Sequence, residues 1–256
     1  MNRTSISTAL FASAVLSAVA ALPAQAAPVA DSGTTVVLVH GAFDDGSSWD
    51  KVIPLLQAKG LKVVAVQNPL TSLEDDVAAT QRVVDAQTGK VVLVGHSWGG
   101  AVITQAGTSD KIKALVYVAA FAPSEGDVIG SIGKDYPTPP GSITLQADAA
   151  GYLSLPAASV KLNFAQDLPA AAANLIAVTQ GPINSKAFGT PITVAAWKNK
   201  PNYFIVSAKD RMISPDLELA MAKKIGATTT TLQTSHVPML SQPKAVADVI
   251  IAAAQR

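Results

Sequence analysis

The stretch best placed for covalent chemistry is Gly95-His96-Ser97-Trp98-Gly99. Residues 91–94 before it are apolar and mostly β-branched, as a buried strand is. Residues 101–106 after it continue as a helix. A G-x-S-x-G pentapeptide between strand and helix makes a sharp turn, which holds the serine in a strained backbone conformation with its hydroxyl clear of the sheet. Gly95 and Gly99 leave room where a Cβ would strike the neighbouring strand or helix. Ser97 is therefore the candidate nucleophile. The plainer alternative is a glycine-rich turn that only binds an anion at a helix N-terminus.

A serine hydroxyl is a weak nucleophile until a base takes its proton, and that base needs an orienting acid. The chain has three histidines. His40 and His96 belong to turns at strand ends, where a structural role is expected. His236 lies in the loop Thr234-Ser235-His236-Val237-Pro238-Met239 and is the candidate base. In the order serine, acid, histidine, Asp210 is the candidate acid, in Ala208-Lys209-Asp210-Arg211. Asp216 and Glu218 are close by, but the first turn of a helix predicts solvated side chains that complement its dipole. An oxyanion formed at Ser97 needs hydrogen-bond donors. The N–H of Trp98 is one candidate, and the N–H of Ala42, with Phe43 as alternative, is the other.

These residues need elements to hold them. Residues 34–39, 62–66, 91–94, 112–120, 203–207 and 228–233 read as strands. Helices are expected over 48–59, from Ser72 as N-cap to about 86, over 215–224 from Pro215 at N1, and over 243–254. Glu74, Asp75 and Asp76 enrich the first turn of the second helix. Strands alternating with helices predict an α/β fold with a mostly parallel central sheet flanked by helices. Its active site should lie outside the carboxyl ends of the strands. The proline-rich stretch 123–200 breaks the pattern. It shows no convincing strand, and its clearest helical pieces fall at 157–164 and 168–180. A structureless loop of that length is uncommon, and the stretch is too apolar for a disordered linker. It reads as a helical cap insertion over the site.

The 256 residues are 49% hydrophobic and 14% charged, with a formal net charge of +1. That suits one globular domain over 27–256 with a sizeable core. No basic excess points to nucleic acid. The absence of cysteine excludes disulfides, thiolate metal sites and a cysteine nucleophile. No metal site and no cofactor are expected. Residues 1–26 read as a signal peptide: a short start with Arg3, an apolar run from 9 to 22, then Ala24-Gln25-Ala26 as a cleavage pattern. The run is short for a membrane span, and without a twin-arginine pair the general secretory route is expected. The mature chain would then be secreted or periplasmic, free of the membrane, and nearly neutral.

Taken together, Leu-Val-His-Gly-Ala-Phe, Val-Gly-His-Ser-Trp-Gly-Gly, Ser-Ala-Lys-Asp-Arg and Ser-His-Val-Pro-Met-Leu-Ser resemble the motifs of the α/β-hydrolase superfamily, from about Thr34 to Ala254. The chain is most similar to small bacterial esterase-like members related to plant methylesterases and hydroxynitrile lyases. The resemblance implies the triad Ser97, Asp210 and His236, with a cap over 123–200. Hydroxynitrile lyases of that group carry a lysine after the catalytic histidine and a threonine after the first strand. Val237 and Gly41 stand in those places here, which favours hydrolysis. The expected substrate is a small, fairly hydrophobic carboxylic ester, cleaved through an acyl-enzyme. A lyase, lactonase or perhydrolase on the same fold, or a non-catalytic small-molecule binding module, remain as alternatives. A serine where dehalogenases and epoxide hydrolases use a carboxylate argues against those reactions. Phe43, Phe121, Tyr136, Tyr152, Phe164 and Trp197 are candidate pocket walls. The oligomeric state is not legible.

Overall fold

A computed structural model describes Met1 and residues 33–256. Apart from Met1, the expected signal segment lies outside the described residues. The central sheet is built from β1 (Thr34–Val39), β2 (Lys62–Val66), β3 (Lys90–His96), β4 (Ile112–Val118), β8 (Asn202–Ser207) and β9 (Thr228–Leu232). These six strands are all parallel, in the order β2-β1-β3-β4-β8-β9. β1 is buried along its whole length. β3 is buried beyond Lys90. That is why both read as continuous apolar runs rather than as alternating ones.

The helices between them are α1 (Ile53–Gln57), α2 (Leu73–Asp85), α3 (Trp98–Ala106) and α6 (Pro215–Lys224), and α7 (Pro238–Ser241) and α8 (Pro243–Gln255) follow β9. Ser72 caps α2 as expected, its hydroxyl accepting from Asp75 N–H at 3.0 Å. The helix expected over 48–59 is broken in two. A 3₁₀ turn at Gly46–Trp49 is capped by Asp45, and α1 restarts with proline in its first turn. Chain order reverses at β1, with β2 on one side and β3 on the other. Right-handed crossovers then place α1 on one face of the sheet and α2, α3 and α6 on the other. The crevice at such a reversal, outside the strand ends, is where open sheets bind ligands. The turn after β1 and Ser97 after β3 meet there.

Between β4 and β8 the chain departs from the expected all-helical insertion. It contains a three-stranded antiparallel sheet, β5 (Gln146–Ala147), β6 (Tyr152–Ser154) and β7 (Ile183–Asn184). Alongside run α4 (Ala157–Ser159), continuing as a π-turn over Val160–Phe164, and α5 (Ala170–Thr179). Strands of two or three residues carry no readable period. They exist because distant segments pair, Leu153 with both Ala147 and Ile183.

Candidate active site

Ser97 stands between β3 and α3 at φ 52°, ψ −119°, the strained left-handed conformation a nucleophile elbow requires. The glycines around it have no room for a side chain. A Cβ on Gly95 would lie 2.4 Å from Gly99 O, and one on Gly99 would lie 2.5 Å from Val39 O. Strand, turn and helix are therefore pressed together at backbone distance, and Ser97 is pushed out of the layer.

His236, in the loop after β9, borders the same apolar cavity as Ser97, together with Ala42, Phe43 and Trp98. Behind it, His236 Nδ1–H donates to Asp210 Oδ2 at 2.5 Å. That bond commits Nδ1 and leaves Nε2 as the basic nitrogen. The other Asp210 oxygen, Oδ1, accepts from the N–H groups of Met212 (2.6 Å) and Ile213 (3.0 Å). The structure thus brings together the three residues expected from sequence.

Supporting groups hold the histidine loop. His96 Nε2–H donates to the backbone oxygen of His236 at 2.8 Å. The rings of His96 and Phe164 pack on His236 at 4.8 and 5.1 Å. Burial, with His236 adding to it, holds the His96 ring well below the ordinary imidazole value, so it stays neutral. On its far side His96 Nδ1 lies 3.5 Å from Asp44 Oδ2, whose carboxyl burial pushes well up. His40 Nδ1–H donates to Gly41 O, and Nε2 accepts from Asn68 N–H. That fixes the turn after β1. Both histidines have the structural role expected of them.

Two acidic residues need correction. Glu218, expected in solvent, is fully buried; its Oε2 accepts from Ser207 N–H at 3.0 Å. Burial pushes its carboxyl well above the usual range, and the facing Asp210 carboxylate pushes the same way. Asp76, expected as a dipole partner at the start of α2, is also buried. Its two oxygens take Leu70 N–H and Trp98 Nε1–H, each at 2.8 Å, so it clamps the side chain beside the nucleophile. Burial raises Asp76 to about 6. The tryptophan after Ser97, whose indole N–H usually finds an acceptor when buried, was the one signal in the sequence for this contact.

Of the oxyanion candidates, Ala42 and Trp98 border the cavity. The alternative, Phe43 N–H, is already spent on Gly181 O at 3.2 Å. It drops out as a donor. As a wall residue Phe43 stands, and so does Phe121. The other proposed walls do not border the Ser97 cavity. Tyr136 is half-buried against the core, Tyr152 belongs to β6, and Trp197 Nε1–H donates to Pro123 O at 2.7 Å. Phe164 packs behind His236 rather than in the cavity. The walls that sequence reasoning missed are Ile129, Leu145, Phe188, Met212 and Ile213. Met212 and Ile213 carried a signal, two apolar residues in a loop just past Asp210. Leu145 and Phe188 carried none. The arrangement can deprotonate a serine hydroxyl, hold an oxyanion on backbone N–H groups, and exclude water behind apolar walls.

Residues 36–249 match the model of the alpha/beta hydrolase family. Among characterised proteins, the chain is 27% identical to Methylesterase 2 of Arabidopsis thaliana, over 85% of this chain and 95% of that one. It is also 27% identical to a pyrethroid hydrolase of Sphingobium wenxiniae, over 85% and 86%. Among solved structures, polyneuridine aldehyde esterase superposes with a TM-score of 0.76 at 20% identity, covering 86% of this chain and 98% of that one.

Proposed function

The chain belongs to the alpha/beta hydrolase family, and from that premise we propose that it is a carboxylic-ester hydrolase working through an acyl-enzyme on Ser97. In this reading His236 Nε2 takes the Ser97 proton as Oγ attacks the ester carbonyl. The negative charge collects on the carbonyl oxygen, opposite the N–H groups of Ala42 and Trp98. The C–O bond to the alcohol then breaks, and His236 returns the proton to the leaving oxygen. Water, deprotonated by the same nitrogen, releases the acid and restores Ser97. Asp210 keeps Nδ1 protonated and stabilises the imidazolium that forms twice per cycle. The segment 123–200 acts as the cap, supplying Ile129, Leu145 and Phe188 to the cavity.

The observation that carries the reading is that Ser97 and His236 border one apolar cavity, with Asp210 bonded behind the histidine at 2.5 Å. Relatives named methylesterase and pyrethroid hydrolase support an ester as substrate. We further propose that residues 1–26 direct export and that the mature enzyme works outside the cytoplasm. The test is a screen of p-nitrophenyl esters and of methyl esters of aromatic acids, run beside a fluorophosphonate label. Hydrolysis of at least one ester, with the label on Ser97, is expected. An unlabelled Ser97 with no ester turnover would reject the reading.

A further inference from the structure

Asp44 is a buried acid that the proposed mechanism does not use. It lies just past Ala42 and Phe43 in the turn after β1, and only 8% of its surface is exposed. Asp44 Oδ1 accepts from Asp45 N–H at 3.1 Å. Oδ2 faces His96 Nδ1 at 3.5 Å, and among the described residues neither atom has a hydrogen-bond partner.

Hydrogen-bond logic decides what must lie between them. The backbone oxygen of His236 can only accept, so the 2.8 Å contact with it requires a proton on His96 Nε2. A neutral His96 ring then has only a lone pair on Nδ1. An ionised Asp44 would set a second acceptor opposite that lone pair, and two buried acceptors face to face are costly. Ser48 Oγ also stands beside the carboxyl, but a hydroxyl proton given to Asp44 would leave Nδ1 still facing an acceptor. One proton between the two atoms removes the conflict. It belongs on Asp44, because the other placement leaves a carboxylate and an imidazolium both buried. Burial acts in that sense on each group, upward for Asp44 and downward for His96.

We propose that Asp44 is a positioning residue for the base His236: its carboxyl O–H donates to His96 Nδ1, which holds His96 in the tautomer that grips the His236 backbone. The two acid–histidine pairs are then set in opposite senses. Charged Asp210 keeps a proton on Nδ1 of His236, and neutral Asp44 keeps one off Nδ1 of His96. The chain of contacts runs from the turn that carries Ala42, through the residue before Ser97, to the base itself. Its kinetic consequence rests on the ester-hydrolase reading above, whereas the place of the proton does not.

The test pairs Asp44→Leu with Asp44→Asn on an ester that the wild type hydrolyses. Leucine fills similar space without a donor. Asparagine keeps an oxygen for Asp45 N–H and brings an amide N–H to His96 Nδ1. Asp44→Leu should lower kcat about ten- to a hundred-fold, the cost of a base displaced by up to about 1 Å, with KM nearly unchanged. Asp44→Asn should recover most of that loss, the reverse of what Asp210→Asn does, and leave the acid limb of the kcat/KM profile in place. The other titratable groups around the pair are Asp45, His40, exposed Asp50 and Lys51, and His236 with Asp210, and neither variant alters them. Were Asp44 ionised, the asparagine would remove a negative charge near His236 and move that limb to lower pH. Nitrogen-15 NMR of the histidine rings in the wild type covers a folding failure of either variant. His96 should stay neutral, with its proton on Nε2, from about pH 5 to 8. A proton on His96 Nδ1, a shifted limb, an asparagine as damaging as leucine, or full activity in both variants would each overturn the proposal. Turnover of no ester by the wild type would remove the ester reading and the positioning role together, and the ring spectrum would still report where the proton lies.

Discussion

In the proposed mechanism a carboxylate orients the imidazole and must remain charged while the ring takes up a proton, and Asp210 would do this beside a second buried carboxyl. Two adjacent carboxylates without a cation resist double ionisation, so Glu218 takes the burden by staying protonated. An acid whose folded pKa is raised adds stability below its unfolded pKa, and that stability is lost as pH rises towards the folded value. Glu218→Gln keeps an acceptor for Ser207 N–H and a donor for Asp210, and it does not titrate. In urea melts the variant should match the wild type near pH 4.5. Above that, the wild type should fall behind by about 1.4 kcal/mol per pH unit until the Glu218 pKa is reached. Parallel curves across that range would show that Glu218 is ionised in the fold. Asp210→Asn should lower kcat about 10⁴-fold, because it turns the His236 tautomer, whereas Asp216→Asn, on the exposed side of α6, should change it little. Equal and small effects would reject Asp210.

At the scale of elements, the site depends on helices pinned to strand ends. Asp76 ties α2 both to Trp98 at the start of α3 and to the Leu70 turn, where φ is 59°. In Asp76→Asn one side-chain oxygen becomes an amide nitrogen and faces a donor. The expected loss is about 1–3 kcal/mol, the usual penalty for a buried donor left unpaired. A urea midpoint unchanged by the substitution would mean that the clamp contributes nothing to the fold. The long elements were legible because period and length agree in them. The residues expected for β1, β2 and α6 are those observed, since apolar runs, Pro215 and terminal lysines mark them. The pieces that were not legible are those set by tertiary contact. Nothing within β5, β6 or β7 distinguishes them from loop, and α1 is shortened by a proline and a 3₁₀ turn that read as one helix. The grouping of Ser97, Asp210 and His236 was legible because the proposed chemistry demands particular residue types in a particular order. The burial of Glu218 and Asp76 was not, because an acid in the first turn of a helix looks the same in sequence whether it faces water or a neighbouring helix.

For the whole molecule, a single parallel sheet carries the candidate catalytic groups at one edge, and the crossover segment adds Ile129, Leu145 and Phe188 to the apolar walls that Phe43, Met212 and Ile213 supply from the sheet's own loops. Among the described residues no helix is long and apolar enough to cross a membrane. Export is tested by expressing the full chain with its native start and sequencing the N-terminus of the exported protein. Ala27 is expected as the first residue, and recovery of Met1 or Asn2 would reject cleavage. The central claim is that Ser97 and His236 act as one unit, and a double-mutant cycle on kcat tests it most directly. With an ester the wild type hydrolyses, Ser97→Ala and His236→Ala should each remove most turnover. The double variant should be hardly worse than either, because an unactivated hydroxyl and an unpartnered base are both idle. A residual rate on the order of 10³-fold over water should survive from the backbone donors and binding. Effects that multiply in the double variant, or hydrolysis undiminished by Ser97→Ala, would contradict the account.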